Sequence, residues 1–373
     1  MEHPPWRRRV VQKCSKYRNI ILILVAAVKF FASLTINRCH VIKLCSLWGQ
    51  ATGRPFPFSH VLVSPLVLRN GILPVLYKYR RHCTVMFDSG GFHIQQKVLR
   101  MQHASEQLAT FYCTHDWADI YVLPDYPLTS TDSVRQIAYK LRVTARGYLS
   151  FASRLPPAFS SKLLPVVHGL TSRQVKRSVT EALKLRPRRL GFGSFGTSGA
   201  RSAVNFLTSD SISMLSVFAG LCVTNRVTSH VFGVGGPASI CVLRYIPVDS
   251  FDTAGWIRAA AYGHVYVPFL GAVNVTGKSA SHRYMSRREF RRVLGYTGHC
   301  CPFCDDDALL RESWHYRALH NFAVLFELNH RLSKMRATDA LKQLSSINRR
   351  YGGYLATVLD EKRFAVRRAM TKT

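Results

Sequence analysis

Past residue 55 the chain alternates between two textures. Short apolar runs recur as HVLVSPLVL, TVMFDSGG, DIYVLPDYP, LLPVVHGL, RLGFGSFG, HVFGVGGP and YIPVDSFD, each ending in a polar or glycine-rich cluster. Between several of them lie SEQLATFYCTHDWA, TDSVRQIAYKLRVTARGYLSFA and TSRQVKRSVTEALKLR, whose apolar positions repeat at spacings of three and four. The first texture predicts strands buried on both faces, and the second predicts amphipathic helices. Thr171-Ser172 and Ser130-Thr131-Asp132 offer N-cap side chains in front of two of those helices. Buried strands alternating with helices indicate a parallel sheet in an α/β fold.

The ends of the runs choose between a barrel and an open sheet. Asp88, Asp125, His168, Ser194, Gly233 and Asp252 each fall at or just after an apolar run, so they gather at one carboxyl-end face. A (β/α)8 TIM barrel builds its site from many strand ends, whereas an open sheet uses only the few at its switch point. The expected architecture is therefore a barrel over residues 51–298, a zinc-binding subdomain over 299–330 and basic helices over 331–373. GFGSFG lacks the glycine register of a dinucleotide site.

Residues 1–50 form a basic and apolar N-terminal extension in this scheme. Arg7-Arg8-Arg9, Lys13, Lys16 and Arg18 precede IILILVAAVKFFASL at 20–34, which has the look of a signal or anchor. Lys29 interrupts that run, which is shorter than the ~20 residues a helical span needs. A buried or mis-started N-terminal extension is favoured over a membrane anchor or export signal.

Composition adds a partner. The chain carries 52 Lys and Arg against 20 Asp and Glu, a net charge of +32, spread along its whole length. With 47% hydrophobic residues and five Trp, this is a folded protein and not a basic tail. Such a field attracts polyanions, with nucleic acid the usual target. The stretch HRYMSRREFRR places Arg283, Arg287, Arg288 and Arg291 as candidates for phosphate contact.

Ten cysteines divide unevenly. Seven stand singly, mostly within apolar stretches, which suits a reducing, cytoplasmic setting. The other three cluster in GHCCPFC, where Cys301-x-x-Cys304 is the bite of a metal site. His320 downstream, with His299 or Cys300, would complete a tetrahedral zinc site. Four protein ligands make such an ion structural and not catalytic.

Taken singly, the acidic residues have plainer explanations. Asp249 and Asp252 could cap a helix over TAGWIRAAAYG, Asp88 could close a Gly-Gly turn, and His168 could be a core histidine. Taken in order, the strand-end motifs and the cysteine cluster resemble the tRNA-guanine transglycosylase superfamily over approximately residues 84–325. FDSGGF, with Asp88, Ser89, Gly90 and Gly91, is the most specific element, and His93 stands where that family has glutamine. VLPDYP, VHG, GFGS, GVG and DSFD match later family motifs, and Arg258 follows six positions after Asp252.

The resemblance implies a (β/α)8 barrel that exchanges guanine in a polynucleotide for a free 7-deazaguanine. It implies Asp252 as nucleophile, Asp88 as general acid/base, and a base pocket of Ser89, Asp125, His168 and Gly193. It also implies Arg258 as a nucleic-acid contact and zinc on His299, Cys301, Cys304 and His320, followed by Asn321, with the more distant His330 as the less favoured alternative. His168 in place of a glutamine, the GFGS strand end and DTAGW after the nucleophile position are similar to the branch acting on DNA, which is favoured over tRNA. A homodimer or helper subunit is compatible with this scheme, and a non-catalytic, zinc-containing nucleic-acid-binding subunit is the alternative.

Overall fold

In the computed structural model the described residues are 28–67, 71–91, 94, 100–129, 131–193, 209–277, 284–349 and 351–356. Nine parallel strands carry the fold: β1 (Lys29–Ser33), β2 (His60–Val63), β3 (Thr84–Phe87), β4 (Ile120–Val122), β5 (Leu163–Leu164), β6 (Val166–Val167), β7 (Arg189–Phe192), β8 (Thr228–Val231) and β9 (Ser250–Thr253). Their order is β5-β4-β3-β2-β1-β9-β8-β7-β6, and every ladder is parallel. The two outermost strands, β5 and β6, are separated only by Pro165. Proline has no N–H to donate, which interrupts the ladder there. Its carbonyl still accepts from Gly191 at 3.0 Å, so the sheet curls into a nearly closed, barrel-like wall.

The continuous apolar runs follow from this shape. Phe31, Leu62, Met86, Ile120, Val122, Leu164 and Val166 form one cluster, joined by Phe232. Their strand neighbours Phe30, Ala32, Val61, Val63, Val85, Phe87, Tyr121 and Val167 belong to a second, larger cluster shared with the helices. Alternate residues of each strand therefore point to opposite faces, and both faces are dry.

β1 departs from expectation. KFFAS was grouped with an N-terminal extension, yet it pairs with both β2 and β9 in the middle of the sheet. Lys29, whose charge interrupts the apolar run, is the exposed first residue of this strand. Among the described residues no helix is long and apolar enough to cross a membrane. Residues 1–27 lie outside the described residues.

The three helix-like stretches form Met101–Thr114, Val134–Ala152 and Ser172–Leu183. Thr171 caps the last of these in a reciprocal box with Gln174. Ser133, and not the preceding Ser130-Thr131-Asp132 triplet, caps Val134–Ala152 in the same way with Gln136. Asp132 instead holds Lys140 at 2.8 Å and accepts the Thr129 amide. Ser130 is outside the described residues.

After β9 come the helix Gly255–Ala261, an antiparallel hairpin of β10 (His264–Val267) and β11 (Gly271–Asn274), and the helices Arg287–Thr297, Asp307–Glu312, Trp314–Lys334 and Ala337–Ile347. Helix Trp314–Lys334 is packed into the barrel side, not held apart from it. Its Phe322 ring meets Phe30, Trp48, Phe58 and Trp256. This helix runs unbroken through residue 330, where the zinc-binding segment was expected to end.

Candidate active site and metal centre

Three carboxylates meet at the carboxyl ends of the strands. Asp88 directly follows β3, Asp125 follows β4, and Asp252 lies within β9. Parallel pairing aligns these ends, with Asp88 N–H donating to Val63 O at 2.8 Å across the β2–β3 ladder.

Asp125 is the centre of a buried polar group. The Ser89 hydroxyl donates to its Oδ1 at 2.7 Å, and His168 Nε2 lies 2.7 Å from its Oδ2. The strand-end glycines make this cluster possible. A Cβ on Gly91 would stand 2.8 Å from Asp125 Oδ1, and one on Gly193 would stand 2.9 Å from His168 Cε1. Gly91 thus leaves room for a carboxylate rather than for an incoming base. Gly90 is needed for another reason, its left-handed φ of +74°. His168 is buried, and its bond to Asp125 makes it part of this polar group and not an isolated core histidine.

Asp252 is not a helix cap. The N-cap position of Gly255–Ala261 is Ala254, which makes no side-chain cap bond. Asp252 Oδ2 instead accepts from the Ser33 hydroxyl at 2.5 Å, and Oδ1 accepts from Gly233 N–H at 2.9 Å. His230 Nε2 stands 3.5 Å from that same Oδ1. Asp249 clamps β8 to β9 by accepting from the amide and hydroxyl of Ser229 at 2.7 and 2.9 Å.

Asp88 does accept from Gly90 N–H at 3.2 Å, as a turn-closing carboxylate would. Its environment does more than close a turn. Burial, and then the charges of Asp125 and Asp252, push its pKa up to about 7 against the opposing amides of Gly90 and Ser89. A carboxylic acid that holds its proton near neutrality sits beside two further carboxylates. That pairing can give and take a proton on one side and attack with an anion on the other.

Ser33 and His230 were not among the sequence candidates. Ser33 is hidden at the end of an apolar run, and His230 is a polar residue inside HVFGVGG with no local partner. Arg258 is exposed on Gly255–Ala261, and Arg287, Arg288 and Arg291 are exposed on Arg287–Thr297. Arg287 and Arg291 both pair with Asp307 Oδ2, the latter at 2.7 Å, while Arg288 has no acidic partner among the described residues. Arg283, His93 and Ser194 lie outside the described residues. A cleft of about 530 Å³ between helices Arg38–Thr52 and Leu73–Tyr79 is lined by Arg38, Ile42, Cys45, Pro74, Lys78 and Tyr79 among others; it has no carboxylate and is not the candidate site.

The second centre is metal-like. One ligand atom each from His299, Cys301, Cys304 and His320 lies within 4.8 Å of every other, and all four residues are buried. The two Sγ atoms are 3.3 Å apart and stand 3.6 and 3.5 Å from His320 Nδ1. Local chain geometry produces this set. Gly298 ends helix Arg287–Thr297 in the left-handed region at φ +68° and turns His299 inward. Cys304 N–H then donates to Cys301 O at 3.0 Å, closing the turn that brings both sulfurs to one point.

Both imidazoles are oriented from behind. His320 Nε2 lies 2.9 Å from the Tyr266 carbonyl, so it is the N–H, and the Nδ1 lone pair faces the sulfurs. His299 Nδ1 lies 2.5 Å from Glu327 Oε2, and its Nε2 is buried with no hydrogen-bond partner. A buried ring nitrogen left in that state fits a metal ligand, and the carboxylate behind it is the usual outer support. The hydrogen bond from Cys301, and then His320 and His299, hold the Cys304 thiol well below its usual range despite its burial, which favours a thiolate. The group could hold a metal ion. His299 rather than the exposed Cys300 is its fourth member, and His330 is not part of it.

No protein-family model matches this chain, and no curated protein does.

Proposed function

We propose that the protein is a transglycosylase that exchanges guanine in a polynucleotide for a 7-deazaguanine. The observation that carries this is the meeting of Asp88, Asp125 and Asp252 at one strand-end cup, with the Asp88 proton held to about pH 7. Leu163–Val167, taken as one strand broken at Pro165, makes the wall an eight-stranded (β/α)8 barrel, whose catalytic face is this end.

Two displacements at the anomeric carbon account for exchange with retention. An Asp252 oxygen attacks C1′, the C1′–N9 bond electrons go to guanine, and Asp88 supplies the leaving base with a proton. The incoming 7-deazaguanine then gives its N9 proton to Asp88 and attacks C1′. The ester C–O bond breaks and its electrons return to Asp252. Asp125 faces the amino and ring N–H edge of the base, since a carboxylate oxygen accepting one hydrogen bond can accept another. Ser89 and His168 hold Asp125 in that orientation, and Gly193 leaves room for the His168 ring. The base must leave its stack to reach the cup.

Zinc suits the two thiolates and two imidazoles and would serve as a structural tie, all four positions being taken by protein. The net charge of +32 suits a polyanion, with DNA favoured over tRNA, and Arg258, Arg283, Arg287, Arg288 and Arg291 as candidate contacts.

Exchange of labelled guanine, run on DNA and on tRNA in parallel, tests this. Wild-type protein is expected to incorporate label into one of them. Asp252→Asn is expected to abolish incorporation and any covalent adduct while keeping metal and nucleic-acid affinity. Normal exchange by Asp252→Asn would overturn the nucleophile. Binding without exchange on either polymer would identify a non-catalytic nucleic-acid-binding subunit instead.

A further inference from the structure

Resting on the base-exchange function above, we propose that His230 is a positioning residue for Asp252, holding a proton on Nε2 against the nucleophile's Oδ1. Hydrogen counting makes the case. His230 Nδ1 lies 2.9 Å from Ser250 Oγ. That hydroxyl has one hydrogen, which can go either to the Ser229 carbonyl at 3.1 Å or to Nδ1. Given to Nδ1, the nearer of the two, it leaves the ring proton on Nε2. Nε2 is buried, has no hydrogen-bond partner and is 3.5 Å from Asp252 Oδ1. As a bare lone pair it would face the carboxylate's own lone pairs in a dry setting. With the ring proton on Nε2 the contact becomes attractive.

The surroundings leave the histidine little else to do. Phe31 of β1 and Phe232 meet its ring edge-on, with centroids 5.4 and 4.5 Å away, and offer no hydrogen-bond acceptor in plane. From β9 it meets Ser250 and Asp252. Asp252 is the one acidic side chain in ion-pairing range of its ring among the described residues. Each of the two deepest carboxylates thus has its own histidine: His168 at 2.7 Å from Asp125, and His230 at 3.5 Å from Asp252.

That difference in distance fits the different tasks. Asp125 keeps its charge throughout, whereas Asp252 loses its charge when the glycosyl ester forms and regains it when the ester breaks. A proton on His230 Nε2 meets the returning charge and lowers the barrier to release. The Ser33 hydroxyl and the Gly233 amide hold the two oxygens in place during the same step.

Histidine-selective 15N labelling of the intact protein tests the contact without any substrate. His230 is expected to carry a proton on Nε2 in the wild type, and to revert to the Nδ1–H form in Asp252→Asn. A wild-type His230 that carries only the Nδ1 proton, and ignores Asp252→Asn, overturns the proposal. This readout is independent of turnover, so absence of exchange by the wild type counts against the transglycosylase function alone. In the exchange assay, His230→Ala is expected to lower kcat about a hundredfold. KM for the polymer should be unchanged, and the covalent adduct should last longer. His230→Gln, which places an amide N–H toward Asp252, is expected to restore most of the rate. Wild-type kcat in His230→Ala, or a His230→Gln as slow as His230→Ala, also overturns it. Where His230→Ala does not fold, His230→Gln and the 15N spectrum decide.

Discussion

At the scale of single residues, Asp88 shows how a site can cost stability. Its pKa in the fold is about 7, raised by burial and by Asp125 and Asp252 from the ordinary 3.8. The folded state therefore binds this proton more tightly than the unfolded chain. A penalty builds as pH rises from near 4 to 7 and is complete above 7. A shift of that size corresponds to about 4 kcal/mol at full burial, and less for a half-buried group. Asp88→Asn removes the ionisation, so it is expected to be more stable than the wild type by about 1–3 kcal/mol at pH 8. At pH 4 the two should be nearly equal. Urea denaturation at both pH values measures this, and equal stabilities at pH 8 would show that Asp88 is not electrostatically burdened. The same variant should have lost base exchange, since an amide cannot pass a proton to the leaving base.

Among the elements, helix Trp314–Lys334 joins the candidate metal centre to the barrel-like sheet. Asn321 Oδ1 accepts from Tyr266 N–H at 2.6 Å, and its amide donates to the Trp256 and His264 carbonyls. His320, the next residue back, donates to the Tyr266 carbonyl and presents Nδ1 to the sulfurs. Two turns on, Glu327 sets the His299 ring. One helix thus carries a candidate ligand, the support of a second candidate and the anchor to β10. Glu327→Gln keeps the shape but removes the charge behind His299. It is expected to weaken metal affinity about tenfold to a hundredfold, read by competition with a chromophoric chelator. Stripping the metal from the wild type should lower its melting temperature by ~5 °C or more, because binding energy of the ion is folding energy. An unchanged melting temperature after verified metal removal would mean that the hydrogen bonds of Asn321 and His320 alone hold this helix.

Over the whole molecule, the net charge of +32 governs encounter and affinity more than fold. Binding to nucleic acid should weaken by about a hundredfold or more between 50 and 200 mM salt if several phosphates are engaged. The arginines of Arg287–Thr297 should not contribute equally. Arg287 and Arg291 share Asp307, whereas Arg288 is exposed without an acidic partner. Arg288→Ala is expected to reduce the slope of log K against log salt by about one, and Arg291→Ala by less. Filter binding across a salt series would separate them. Equal slopes for wild type and Arg288→Ala would place the phosphate path elsewhere on the surface.

Local pattern in the chain was enough for much of this. Runs such as VMF and IYVL are apolar at every position because both faces of a parallel strand are buried, and helices announce themselves by spacings of three and four. The order of Asp88, Asp125 and Asp252 at the ends of such runs, and the Cys301–Cys304 bite, were likewise legible because each is a short-range signal. Other features depended on distance through space. β1 lay inside an anchor-like run, since a central strand and a membrane segment are both apolar and only pairing with β2 and β9 tells them apart. His299 prevailed over Cys300 because a left-handed Gly298 turned one inward and left the other exposed. Ser33 meets Asp252 across 219 residues of sequence, and His230 meets it across a parallel ladder. Periodicity reports which face a residue occupies. It carries no information about which distant side chain lies opposite, and in a barrel-like sheet that is decided by the pairing and register of its strands.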